Sequence, residues 1–426
     1  MGQNSTTILV PIIKNKVDEL LDLLAGINEG LAMGKPPLFE ELNIIHFARW
    51  VVIDHGKSWI NDPVERTPKL LFVVDYDGKE TDLLRKLCTD SAELLDKVYA
   101  YCENFPILEK RTPDSRTAFL TNNVIKDAAV YIGAPGRTVR QIKDESNLRD
   151  FIRKYLDSTT WGNLSAQAIH QTIKNEVSSN GNFAFLDQKV KIPSVNWLGL
   201  IFLGIVLLVL LPLTIVLLLL VIVWVLVLHI FYERKDENFI RKRSQLNDKF
   251  MTELEKYEDF TSQNQFTQLV DMKEGKFRLF TIKAMFSLSK SLIKFVFVKG
   301  KLMGIPTIHF AKWVMFEENS RVLFFSNFDG SWQQYLGDFI DNSGWGLTGI
   351  FSNTKVFPKT NFLLTGGAYD EEHFLAWSRN SELVTNVWYS AYPHLSIKNI
   401  NNNTKIRVQL MKSLSERQAA KFLKLI

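Results

Sequence analysis

Two histidines lie in matching surroundings, in Ile45-His46-Phe47-Ala48-Arg49-Trp50-Val51 and in Ile308-His309-Phe310-Ala311-Lys312-Trp313-Val314. Downstream of each, an aspartate-glycine pair closes an apolar run: Asp77-Gly78 after Leu71-Phe72-Val73-Val74, and Asp329-Gly330 after Leu323-Phe324-Phe325-Ser326. A strand histidine can serve as a ligand. A histidine repeated in two apolar strands also reads as a packing or hydrogen-bonding residue, and a turn after a strand is reason enough for Asp-Gly. The remaining histidines include His394, after Tyr392-Pro393, and His373, near Asp370, Glu371 and Glu372. None has metal-ligand spacing. There is no His-x-x-x-His, Cys-x-x-Cys, Gly-x-Ser-x-Gly, P-loop or dinucleotide fingerprint. Gly133-Ala134-Pro135-Gly136-Arg137 could cradle an anion, but it reads better as the turn that ends a strand.

The elements that carry these residues recur. Phe105-Pro106 matches Phe357-Pro358 at the same offset as the two Asp-Gly pairs, and Tyr131 to Leu156 aligns without gaps on Tyr389 to Leu414. Four blocks in the same order predict a duplication. The first unit (1–160) reads as strand Ile8–Ile13, helix Lys16–Ile27, strands Ile44–Ile53 and Leu70–Val74, helix Leu83–Tyr101, strand Ala128–Ile132 and a helix from about Thr138 to Leu156. That β-α-β-β-α-β order is ferredoxin-like. The second unit (263–426) predicts strands at Thr267–Asp271, Thr307–Phe316, Val322–Ser326 and Thr385–Ser390, with an insertion at Gly344–Thr348, Asn361–Gly367 and a short helix near Glu371–Trp377. The fold class expected is α+β, two ferredoxin-like units in contact.

Between the units lie a connector (161–196), an apolar stretch (197–232) and a charged stretch (233–262) that predicts an amphipathic helix. From Ile192 to Tyr232 there is no Asp, Glu, Lys or Arg, which predicts a membrane segment. Pro212 lies near its middle. The stretch is therefore either one long kinked span or a hairpin of two short segments. Lys189 and Lys191 precede it, and Arg234, Lys235, Arg241, Lys242 and Arg243 follow it. Basic residues on both flanks suit a hairpin with two cytoplasmic ends. A second membrane-facing element is expected at 276–301, where Lys276, Lys283, Lys290, Lys294 and Lys301 stripe a helix rich in Phe, Leu, Ile and Val. Its alternative is a helix buried between the units with lysines reaching solvent.

The 426 residues carry a net charge of +5 and two cysteines, Cys88 and Cys102. So modest a charge speaks against nucleic acid, and so few cysteines suggest reduced thiols rather than a disulfide framework. Duplicated ferredoxin-like units with Asp-Gly after a strand resemble the α+β barrel superfamily of dye-decolourising peroxidases and chlorite dismutases. There, a Gly-x-x-Asp-Gly motif supplies the distal acid and a histidine holds haem. The resemblance would make Asp77 and Asp329 the acids and His309 the haem ligand. Val74 and Ser326 replace the motif's leading glycine, however, and those enzymes have no apolar stretch between their halves. The expectation carried forward is an integral membrane protein with cytoplasmic units that bind lipid, an apolar ligand or a protein partner. A haem peroxidase acting on a lipophilic substrate is the alternative.

Overall fold

The computed structural model describes residues 2–33, 38–55, 66–190, 195, 197–298 and 300–426. The chain is mixed α+β. It runs β1 (Gln3–Pro11), α1 (Val17–Ala32), β2 (Ile45–Ile53), β3 (Lys69–Asp77), α2 (Glu80–Asp90), α3 (Ala92–Tyr99), α4 (Pro113–Asn122), β4 (Val124–Ile125), β5 (Asp127–Ile132), α5 (Val139–Ser158), α6 (Ala166–Ser179), α7 (Trp197–Val209) and α8 (Leu211–Phe231). It continues with α9 (Asp248–Glu255), β6 (Gln263–Asp271), α10 (Lys276–Phe295), β7 (Ile308–Phe316), β8 (Arg321–Asp329), α11 (Trp332–Phe351), β9 (Thr360–Asn361), β10 (Thr365–Gly366), α12 (Glu371–Ser381), β11 (Val387–Ser390), α13 (Ile397–Leu410) and α14 (Glu416–Leu423).

Two antiparallel sheets dominate, with strand orders β11-β2-β3-β1-β4 and β5-β7-β8-β6. They exchange strands. β5, ahead of the apolar stretch, pairs with β7 beyond it, and β11 from the end of the chain pairs with β2 near its start. Just before each crossing the chain touches the sheet it is leaving. β4 pairs with β1, and Glu382 bridges to Gln268 on β6.

Strand side chains alternate between faces. One face of each sheet is turned toward the other sheet, where Val51, Ile53, Leu71 and Val73 meet Val314, Phe316, Leu323 and Phe325. The opposite faces carry the helices: Trp50, Phe72 and Tyr76 pack under α1 to α3, and Trp313, Phe324 and Phe328 pack under α10 and α11. Helices α5, α6, α13 and α14 form a separate cluster around Leu148, Ile152, Ile406 and Phe422.

The apolar end of this interior is closed by a charged clasp between the sheets. Arg321 on β8 binds Asp54 through both terminal nitrogens and lies 3.2 Å from Asp271 through Nε. Lys69 on β3 donates to Glu317 at 2.6 Å. Burial pushes the Glu317 carboxyl up, but the Lys69 hydrogen bond and the Arg321 charge outweigh it and hold it below the ordinary value of 4.5. A carboxyl depressed on folding stabilises the fold above its unfolded pKa, and that stability is lost as pH falls through the folded value. The unfolding midpoint of the natural chain should therefore drop more steeply below pH 4.5 than that of Glu317→Gln. Parallel acid profiles would remove Glu317 from the clasp.

Besides β5 and β11, which join the sheet of the other half rather than that of their own expected unit, and the helix expected over Leu83–Tyr101, which is two helices, three segments differ from the sequence expectation. The charged stretch is helical only at α9 and in short 3-10 turns. Its carboxylates are taken by the body instead: Glu233 accepts from Thr360, Phe362 and Leu363, and Asp236 pairs with Lys273 and Arg278. Gly344–Thr348 is helical rather than a loop between elements. It is the second half of α11, which kinks at Ser343 much as α2 and α3 break at Ser91. Asn361 and Thr360 pair with Thr365 and Gly366 as the β9–β10 hairpin. The helix predicted over 276–301 ends at Phe295, which leaves Lys301 in the following loop.

Candidate functional site

The two histidines and two aspartates come together as two separate pairs of like construction. Asp-Gly leaves each central strand with glycine at positive φ, 101° at Gly78 and 83° at Gly330, a conformation that costs glycine little. Each aspartate then faces the histidine of the neighbouring strand. His46 Nε2 is 3.1 Å from Asp77 Oδ1, and His309 Nε2 is 2.7 Å from Asp329 Oδ1. The second carboxylate oxygen takes a backbone N–H in the first turn of a helix: Val139 N of α5 for Asp77 and Ile397 N of α13 for Asp329, both at 2.8 Å. Those helices are also capped alike, by Thr138 and Ser396.

Residues at the start of β1 and β6 complete each clasp. Gln3 Nε2 donates to Arg137 O, and Gln263 Nε2 donates to Tyr392 O and Leu395 O. Asn4 and Asn264 donate to the carbonyls of Gly78 and Gly330. Tyr392 breaks the symmetry, since its hydroxyl lies 2.7 Å from His46 Nδ1. Both histidines are buried. The acid and the ligand that the resemblance would place on opposite sides of a haem are hydrogen-bonded to each other, so His309 and Asp329 as they stand do not fit that group. Among the described residues no cluster of three or more His, Cys, Asp or Glu could hold a metal ion.

Between the sheets lies a buried charged layer. Arg49 on β2 reaches into the other sheet and donates to Gln265, Phe266 O, Thr267, Ser326 O and Asn327. Asn327 in turn donates to Asp75 at 2.9 Å. Lys312, which holds Arg49's place on β7, lies 3.5 Å from Asp127. Burial pushes the Asp75 carboxyl up and the Lys312 amine down, with the opposite charges nearby offsetting part of each shift.

A small apolar cavity lies outside this layer, between α10, α11 and the outer face of β7. Met285, Leu288, Leu292 and Ile293 of α10 face Phe339 and Leu347 of α11 over Trp313, around an apolar cavity of about 30 Å³. The α11 kink at Ser343 and two glycines shape it. A Cβ at Gly346 would lie 3.0 Å from the Met303 methyl, and one at Gly349 would lie 2.4 Å from the Met285 methyl. Flexible methionines against glycines make walls that can move to fit a guest.

Outside the cavity, α10 shows solvent a mixed face. Lys276, Lys283, Lys290 and Lys294 are exposed, and so are Phe280, Leu288 and Phe295. The opposite side of α10 packs on its own sheet and on α11, so the helix is not enclosed between the sheets. Lys301 is exposed in the loop. Arg241 is exposed beside a cleft, Lys242 pairs with Glu372, and Arg243 pairs with Glu255. Helix α8 reaches the same region. Its Trp224 ring stacks on Phe277 of α10 at 3.7 Å, with Nε1 donating to Thr281. Among the described residues, the helix starting at Leu211 is the one long and apolar enough to cross a membrane.

Comparison with protein-family models, with curated proteins and with solved structures finds no match. The sequence pointed to His46, His309, Asp77 and Asp329 and to the lysine helix. It missed the charged layer, although Arg49 and Lys312 stand at matched positions inside apolar strands. It also missed the Gln-Asn pairs that open β1 and β6.

Proposed function

We propose that the chain is a membrane-anchored protein of two duplicated ferredoxin-like units, working at the cytoplasmic membrane surface, and that it takes an apolar ligand from the bilayer into the cavity beneath α10. The observation that carries this is the position of the cavity. It is apolar and, at about 30 Å³, closed down to little more than a water's room, so a guest has to push its methionine walls apart; its roof is a helix with lysines and large apolar side chains side by side, the combination that holds a helix at a headgroup layer. Support for the duplication comes from the paired clasps and from the common kink at Ser91 and Ser343. Support for the cytoplasmic face comes from the basic flanks.

A fluorescent long-chain fatty acid should bind the full-length protein saturably, at one molecule per chain. Ile293→Trp, which fills the cavity, should reduce that affinity at least tenfold and leave membrane attachment unchanged. Lys283→Glu with Lys290→Glu and Lys294→Glu should do the converse. It should slow transfer of the probe from anionic vesicles, with the difference fading in high salt, because each lysine near such a surface contributes about 1 kcal/mol. Probe binding indifferent to Ile293→Trp would exclude the cavity as the site.

A further inference from the structure

The apolar stretch is held at both ends by the same folded body. On its near side, the carbonyls of Phe185 and Gln188 accept hydrogen bonds from Arg407 on α13. On its far side, Glu233 is buried and bonded to Thr360, Phe362 and Leu363. The strand exchange adds a stronger constraint. β5 precedes the stretch and β7 follows it, and they are neighbours in one sheet. A chain that crosses a bilayer once leaves its flanks on opposite faces, and no sheet can be shared through the hydrocarbon. A single span is therefore incompatible with this fold.

Two full crossings fail on length. A crossing needs ~20 apolar residues to cover ~30 Å of hydrocarbon. Helix α7 has 13 residues, which at 1.5 Å each gives ~20 Å. Helix α8 has 21, but from Trp224 onward it lies against the body: Trp224 on Phe277, Leu228 buried, and His229 stacked on Phe362 at 3.8 Å. Its free part, Leu211 to Val223, is about as long as α7. The two arms meet at Leu210, whose φ of −92° and ψ of 27° break the helix, with Pro212 in the next turn. The break is satisfied locally. Leu210 N donates to Val206 O, and Leu210 O accepts from both Thr214 N and Thr214 Oγ1. Non-helical backbone in hydrocarbon requires such partners.

We infer that α7 and α8 form a re-entrant hairpin that dips into one leaflet, turns at Leu210 to Pro212, and returns to the face it entered, so that the protein is monotopic. The inference rests on the membrane reading above and sharpens it. The partner surface is a single anionic leaflet. The hairpin fills the hydrocarbon of that leaflet, and the exposed lysines of α10 meet its headgroups beside the point where α8 leaves.

Three variants, each with one added cysteine, test it in sealed vesicles of both orientations: Ser178→Cys, Leu211→Cys and Glu237→Cys. Native Cys88 and Cys102 are buried, out of reach of an impermeant maleimide. Ser178→Cys and Glu237→Cys should label from one and the same face. Leu211→Cys should resist labelling from either face until detergent is added, and a fluorophore coupled there in detergent should be quenched by mid-bilayer nitroxide lipids after reconstitution. Labelling of Leu211→Cys from the far face would mean two crossings and would overturn the half-depth hairpin. Opposite-face labelling of Ser178→Cys and Glu237→Cys would overturn it in favour of one span. Release of the whole protein by alkaline carbonate, with Leu211→Cys open to label in water, would overturn the membrane reading itself.

Discussion

Replacing Arg49 with methionine is expected to lower stability by about 3–5 kcal/mol, the usual result of removing one partner from a buried charged network. The side chain is 1% exposed, and both of its terminal nitrogens are fully committed, Nη1 to Gln265, Phe266 O and Thr267, and Nη2 to Ser326 O and Asn327. All five acceptors belong to the sheet opposite its own. Methionine fills a similar volume but donates nothing. The two backbone carbonyls and the Asn327 amide would lose a charged donor in a place water does not reach, and Asp75, bonded to Asn327, would lose one of the positive charges that offset its own, the other being Lys312. Lys312→Met should cost less. Lys312 faces the charges of Asp127, at 3.5 Å, and Asp75, but it makes none of the five close hydrogen bonds that Arg49 makes, and burial already disfavours its charge. Denaturant titration in micelles checks the order: the midpoint should fall for both variants, further for Arg49→Met, with the slope unchanged. An Arg49→Met midpoint equal to that of the natural chain would show that the layer does not hold the sheets together.

How much of this was legible follows from what each element depends on. Strands β2, β3, β7 and β8 were readable because their apolar, β-branched runs are local facts. The histidine and aspartate positions were readable because the pairs recur at fixed offsets. The strand exchange was not. β5 has the same alternation of side chains whichever sheet it joins, and the choice is made by the short step from β4, which first pairs with β1 and then leaves. The charged layer was hidden for a related reason. Arg49 alone in an apolar strand looks like a misplaced charge, and its acceptors lie in residues 265 to 327, on the far side of the apolar stretch. The continuous helix expected over 233–262 failed because charge pattern is a weak guide where tertiary partners compete. Glu233 and Asp236 find donors in the body, and those contacts hold the chain outside helical geometry. The sequence offered a single span or a hairpin and favoured the hairpin on its basic flanks and on expected contact between the units; that β5 and β7 on its two sides share a sheet was not readable.

Asp329→Ala should destabilise the fold by about 2–4 kcal/mol, since it orphans two buried donors at once. One is the N–H of Ile397 in the first turn of α13, and the other is the His309 ring. Loss of the carboxylate also removes a negative charge from a helix N-terminus. Asp329→Asn separates a structural job from a chemical one. An amide can still accept from Ile397 N and, by offering its own N–H, meet the other tautomer of His309. It should keep most of the stability that alanine loses. His309→Ala should cost less in an Asp329→Ala background than alone, because the two side chains act as one unit. Asp77 and His46 should behave in the same way, with a somewhat larger loss for His46→Ala because the Tyr392 hydroxyl then also loses its partner. If these pairs were proton-transfer groups, Asp329→Asn would leave the fold intact and abolish an activity, and peroxide turnover by haem-supplied protein is the activity to assay. A clasp predicts a loss of stability graded with the hydrogen bonds removed and no separate loss of activity. Thermal midpoints should fall in the order alanine, then asparagine, then parent, and binding of the fatty-acid probe should follow the folded fraction alone.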